Sequence, residues 1–149
     1  MDEKTFASTN EANLELALNL DLGSSEFVYV RGKLMIKINP IYFDLDKSYI
    51  RPDAELELER VVRIMQKYPE LKINLGSHTD SRARDAYNWS LSTRRARSSK
   101  NWIVRQGIDP SRIKAEGFGE TELVNKCSNG VNCSEDDHQL NRRTEFVIV

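Results

Sequence analysis

Two consecutive stretches decide the fold. The first is Pro52-Asp53-Ala54-Glu55-Leu56-Glu57-Leu58-Glu59-Arg60-Val61-Val62-Arg63-Ile64-Met65-Gln66-Lys67-Tyr68; the second is Lys72-Ile73-Asn74-Leu75-Gly76-Ser77-His78-Thr79-Asp80. In the first, Ala54, Leu58, Val61, Val62 and Met65 recur at helical spacing, so an amphipathic helix is expected over 53–68. Pro52 suits a first helical position and Pro69 ends the run. In the second, Lys72 to Leu75 alternates and reads as a strand. The period thus changes from 3.6 to 2 within a few residues, which marks a helix returning to a sheet.

Working outward, Arg84 to Gln106 is a second helix, with Leu91, Ala96, Trp102 and Ile103 on its buried face. Gly107 is a good residue to stop it. Arg112 to Ala115 is a further strand, Gly117-Phe118-Gly119-Glu120 a loop, and Thr144 to Val149 a final strand. A long polar loop lies between them. Upstream, Phe27 to Val30 and Leu34 to Ile38 flank Arg31-Gly32-Lys33 and read as a hairpin. Ile41-Tyr42-Phe43 continues as a short strand edge. Residues 11–22 alternate and are strand-like. Met1 to Asn10 reads as a polar linker. The order strand, helix, strand, helix, strand, loop, strand predicts an α+β fold. It is a two-layer α/β sandwich with two main helices on one face of a mixed sheet.

Composition narrows the function. The chain has 149 residues, 39% apolar and 30% charged, enough for about one domain with a real core. With 22 basic and 23 acidic side chains the net charge is −1. No global attraction to nucleic acid or to an anionic membrane is expected. No apolar run is long enough to span a bilayer as a helix, and no signal peptide is visible. An excised domain is the favoured reading. Membrane association would then come only through parts that precede residue 1.

Few residues carry chemistry. Asp80 follows a strand and precedes a helix, where it could accept from a ligand ammonium. By spacing alone it is better read as the cap of the following helix. Arg94 and Arg95 point about 100° apart, so one can reach the strand-end loop and offer its planar fork to a carboxylate. An acid and a base at one site suit an amino-acid-like ligand. His78 lacks the nucleophile and orienting partner of a catalytic set, and a metal needs more ligands than one histidine. No phosphate-cradling glycine loop and no G-x-S-x-G occur. No enzyme activity, cofactor or metal is expected. Cys127 and Cys133 enclose Ser-Asn-Gly-Val-Asn. A disulfide across this loop is feasible and would imply an oxidising compartment; two free thiols are the alternative.

Several motifs occur together in order: Ile41-Tyr42-Phe43-Asp44-Leu45-Asp46-Lys47-Ser48, Ser77-His78-Thr79-Asp80, Tyr87-Asn88, Leu91-Ser92, Arg94-Arg95-Ala96, Gly107-Ile108, Gly117-Phe118-Gly119-Glu120 and Asn141-Arg142-Arg143. Over about residues 36–149 the chain resembles the OmpA-like C-terminal domain family, which includes the periplasmic domain of OmpA, Pal and MotB. Residues 1–35 would then be an N-terminal extension. The resemblance implies non-covalent binding of peptidoglycan through the diaminopimelate of uncrosslinked stem peptides. It implies a periplasmic place in an outer-membrane-associated protein, which the cysteine loop fits. It assigns the ligand's ammonium to Asp80 and its carboxylate to Arg95. Tyr42, Phe43 and Asp44 would line the pocket, Thr79, Asn88 and Leu91 would shape or contact it, and Arg142 is a further candidate.

Two departures from the family pattern bear on the loop after Asp80. Ser77 replaces the usual glycine of G-H-T-D, and Ala83 stands where a glycine usually occurs three residues after the aspartate. A left-handed backbone at Ala83 would cost about 1 kcal/mol. The alternatives are an interaction module that has lost wall binding, and, ranked last, a wall hydrolase using His78.

Overall fold

The computed structural model describes residues 26–149; the alternating segment 11–22 lies outside them. A five-stranded sheet runs β1 (Phe27–Val30), β2 (Lys33–Ile36), β3 (Ile73–His78), β4 (Ile113–Gly119) and β5 (Thr144–Ile148) in chain order. The spatial order is β1-β2-β5-β3-β4. Only β3 and β4 pair in parallel; β1–β2, β2–β5 and β3–β5 are antiparallel. The expected mixed sheet and α+β class are what the chain adopts. Among the described residues three α-helices accompany it: α1 (Pro52–Lys67), α2 (Asp85–Arg105) and the short α3 (Glu135–Gln139).

The hairpin turn is tighter than the three residues expected, because Val30 pairs with Lys33. Arg31 and Gly32 take φ of 50° and 77°, as a two-residue hairpin turn matching the strand twist requires. Alternation then separates the two sheet faces. Phe27, Leu34, Ile36, Ile73, Leu75, Ile113, Phe146 and Ile148 join one core with Leu58, Val61, Met65, Ala96 and Ile103 of the helices. Between them, Asn74, Lys114 and Glu116 are exposed on the opposite face. Both long helices therefore cover one face.

Close contact between α2 and β4 depends on Gly117. A Cβ there would lie 2.2 Å from the Thr93 backbone nitrogen. At the C-terminal end of α1, Arg112 donates to the Met65 and Tyr68 carbonyls at 2.8 and 2.9 Å, and also to the Leu71 carbonyl just beyond at 2.9 Å. The first two are acceptors that a helix end cannot pair internally.

Two further sequence expectations are corrected. Residues 37–51 form no strand. Pro40 lacks a donor for a ladder, and the chain is held instead by side chains, with the Asn39 nitrogen donating to buried Glu57 at 2.8 Å. The long polar loop contains α3, begun by Ser134, whose hydroxyl accepts from the Asp137 nitrogen at 3.1 Å.

Candidate functional site

The site forms where β3 and β4 end. Their register shifts between Ser77 and His78: Ser77 faces Gly117 but His78 faces Gly119. The extra residue is a bulge, which bends a strand and re-aims the residues beyond it. Gly119 takes φ of 54° and lies against α2, where a Cβ would be 3.1 Å from the Trp89 nitrogen. Its nitrogen donates to the buried Ser92 hydroxyl at 2.8 Å and its carbonyl accepts from Thr79 at 2.8 Å. Thr79 and Asp80 are thereby fixed at the mouth of a cavity of about 570 Å³.

Phe43, Leu45, Asp46, Thr79, Asp80, Arg82, Ala83, Tyr87, Asn88, Leu91, Arg95, Glu135 and Arg142 line this cavity. Six of the residues expected at the site meet there: Phe43, Thr79, Asp80, Asn88, Leu91 and Arg95, with Arg142 as a seventh. Tyr42 and Asp44, expected on the same wall, lie outside it. The Tyr42 hydroxyl accepts from Gln139 at 3.1 Å. The Asp44 carboxylate holds Tyr49 and pairs with Arg51 at 3.3 Å. Phe43 thus faces the cavity while its two neighbours point elsewhere.

Asp80 is not the cap of α2. That position belongs to Arg84, with no side-chain cap bond. The Asp80 carboxylate instead turns its own loop. Oδ1 accepts from the Arg82 nitrogen at 3.0 Å, and Oδ2 accepts from the Arg82 and Arg142 guanidiniums at 2.9 and 2.7 Å. Burial opposes ionisation, but these hydrogen bonds outweigh it and hold the carboxyl at about 2. Asp80 is thus an anion at any physiological pH.

Arg95 and Arg94 diverge as their helical spacing demands. Arg94 is exposed, whereas Arg95 is 9% exposed. Its Nε donates to the Lys47 carbonyl at 2.9 Å and one terminal nitrogen donates to the Asp44 carbonyl at 3.2 Å. The guanidinium stands 4.8 Å from the Phe43 ring centre, a cation–π contact. Burial lowers its pKa from the usual guanidinium value. Arg95 therefore ties the 44–47 turn, in which Asp46 takes φ of 60°, to α2. Asp46 closes the rim by accepting from the Tyr87 hydroxyl.

Asn88 knits the remaining wall. Its amide donates to the Asp80 and Ala83 carbonyls at 3.1 and 3.2 Å, and to Glu120 at 3.1 Å. The Thr79 hydroxyl is buried and has no hydrogen-bond partner among the described residues. Ser77 satisfies its hydroxyl on Thr144 at 3.1 Å. Ala83 is absent from the described non-glycine residues with positive φ, which are Arg31 and Asp46. Alanine therefore costs the loop no left-handed strain.

Cys127 and Cys133 form a disulfide, with Cα atoms 6.0 Å apart. Asp137 lies near both sulfurs, but sulfurs spent in a disulfide offer no thiolate to a metal. The bridge matters to the site through its neighbours. The Ser81 hydroxyl donates to the Cys127 carbonyl, and Ser134 and Glu135 directly follow Cys133. Sequence reasoning missed Arg82 and Glu135. The capping signal Ser134-Glu135-Asp136-Asp137 after the second cysteine could have revealed α3; nothing local ties Glu135 to Asp80.

His78 stays apart from the cavity. It stacks on Phe118 with ring centres 5.0 Å apart, and its Nε2 lies 3.6 Å from Glu145 on the sheet face away from the helices.

The chain is similar to several known proteins. Outer membrane porin F of Pseudomonas fluorescens is 38% identical over 80% of this chain and 33% of its own length. The peptidoglycan-associated lipoprotein of Agrobacterium fabrum is 33% identical over 72% of this chain and 58% of its own. The chain spans 14% to 58% of the length of the first curated relatives it matches. A crystal structure of a MotB-like protein from Desulfovibrio vulgaris superposes with a TM-score of 0.68 at 26% identity, covering 93% of this chain and 86% of that one. The family model described as the OmpA family matches residues 42–136, the span that builds every wall of the cavity except Arg142, and the chain belongs to the OmpA family.

Proposed function

We propose that this chain binds peptidoglycan without covalent attachment, through the diaminopimelate of uncrosslinked stem peptides, and tethers an outer-membrane protein or lipoprotein to the wall from the periplasm. The observation that carries this reading is the placement of one ionised carboxylate, Asp80, and one buried guanidinium, Arg95, on the same cavity. A ligand bearing ammonium and carboxylate on one carbon complements that pair. Asp80 accepts the ammonium. Arg95 uses two of its five N–H donors on the 44–47 turn, and the others serve the carboxylate. The buried Thr79 hydroxyl adds a hydrogen bond that the protein itself does not supply. Phe43 and Leu91 pack on the methylene chain between the two amino-acid ends. The disulfide fits an oxidising compartment. The names of the relatives, a peptidoglycan-associated lipoprotein and an outer membrane porin, agree with this reading.

The test is co-sedimentation with purified sacculi. Asp80→Ala and Arg95→Ala should each weaken binding about ten- to a hundredfold, the worth of one desolvated charge-assisted interaction. Circular dichroism should show the fold retained. Wild-type binding by both variants would sink the assignment.

A further inference from the structure

Asp80, Arg82, Glu135 and Arg142 close a ring of ion pairs at the cavity mouth. Arg82 reaches Asp80 at 2.9 Å and Glu135 at 2.7 Å. Arg142 reaches Asp80 at 2.7 Å and Glu135 at 2.6 Å. Two guanidiniums alternate with two carboxylates, so the ring is neutral; Asp80 Oδ2 already holds both guanidiniums and Oδ1 holds the Arg82 backbone N–H.

The two arginines are not equivalent. Arg142 follows the fully buried Asn141, whose side chain accepts from the Val124 nitrogen at 2.7 Å and donates to Asn125 at 2.9 Å. Arg142 also leads into β5, so its backbone is fixed. Arg82 sits on the loop between β3 and α2 with its side chain 49% exposed. An ammonium brought to Asp80 meets both positive groups at contact distance, and like charges there repel. The arginine free to move away is Arg82.

Glu135 offers it somewhere to go. The bond from Arg82 Nη1 to Glu135 does not depend on Asp80, so Arg82 can release the aspartate and keep an acceptor. Glu135 stands two residues beyond Cys133, and Cys127 is tied through its carbonyl to Ser81, the residue before Arg82. The disulfide loop thus holds the second acceptor beside the arginine.

We propose that Arg82 competes with the ligand's ammonium for Asp80, and that Glu135 draws Arg82 away, so that these two residues set the affinity of the site. This rests on the reading of Asp80 as the ammonium acceptor. Arg82 is an affinity-setting residue, distinct from the residues that hold the ligand.

Calorimetric titration of meso-diaminopimelate into the full chain, with sacculus co-sedimentation beside it, tests the idea. Arg82→Ala should tighten binding up to about fivefold, the range of an exposed ion pair. Arg82→Gln should do the same, because it removes the charge and keeps the stem. Glu135→Gln should weaken binding by a similar factor, and that loss should shrink in the Arg82→Ala background. A merely structural role for Arg82 cannot give a gain in affinity. Unchanged or weaker binding by both Arg82 variants, with binding lost in Asp80→Ala, overturns the competition and leaves wall binding standing. Retained binding in Asp80→Ala removes the ground from both.

Discussion

Replacing Asp80 by Asn tests the electrostatics of the site without changing its shape. In the folded protein the Asp80 carboxyl falls from an ordinary 3.8 to about 2, because the Arg82 and Arg142 hydrogen bonds outweigh the cost of burial. At about 1.36 kcal/mol per pH unit, and reduced by solvent screening of a partly exposed pair, that drop corresponds to at most about 2 kcal/mol of stability. The sign comes from the depressed value. The contribution is fully present above pH 3.8 and is lost as the pH falls through about 2. Asp80→Asn should therefore be less stable than the wild type by up to about 2 kcal/mol at pH 7. The gap should close as the pH approaches 2. Glu145, held at about 2 against burial by its bonds from His78 and Arg143, titrates in the same window. It does so in both proteins and cancels in the difference. Urea unfolding monitored by tryptophan fluorescence, repeated from pH 7 to pH 2, reads the gap; Trp102 is buried and reports on the core. A gap that stays constant across the window would refute the account of Asp80 as a carboxylate held ionised by two guanidiniums.

Two further perturbations probe the frame around the site. Removing the disulfide with Cys127→Ser and Cys133→Ser, six positions apart, should cost about 2.4 kcal/mol by loop entropy. Equal urea midpoints for the pair with and without the bridge would contradict this. Gly117→Ala would drive a Cβ to within 2.5 Å of the Thr93 Cα on α2. Such overpacking costs about 1–3 kcal/mol or more. Because α2 carries Arg95 and Asn88, sacculus binding should fall along with the melting temperature. An unchanged melting temperature would show that α2 and β4 are not in the close contact described.

How much of this was legible in the sequence differs from element to element. Helix α1 could be read because its apolar positions repeat every three to four residues over sixteen residues, between two prolines. Strand β3 was legible through its alternation, although it runs to His78 rather than ending at Leu75. The segment around Tyr42 and Phe43 misled. Its aromatic and branched residues suit a strand, but no strand among the described residues pairs with it, and contacts with Glu57 and Arg95 decide its path. Helix α3 was hidden because five residues are too few to show a period. Asp80 was harder still. Aspartate just before a helix is ordinarily a cap, and only the loop between Asp80 and the helix shows that Arg84 occupies that position.

By itself the sequence determined the α+β class, the two long helices and the family through the order of its motifs; Asp80 and Arg95 entered as expectations from the family resemblance. Class, helices and family are written in local periods and in short motifs, and neighbours along the chain suffice to express them. The tertiary structure alone decided what those charges do. Asp80 and Arg142 lie 62 positions apart and meet at 2.7 Å; Arg82 and Glu135 lie 53 apart and meet at 2.7 Å. A pKa, a ring of ion pairs and a cavity wall all depend on which charges stand within about 4 Å in a partly dry site. No local pattern encodes that distance, because the antiparallel pairing of β3 with β5 and a disulfide-closed loop bring those segments together.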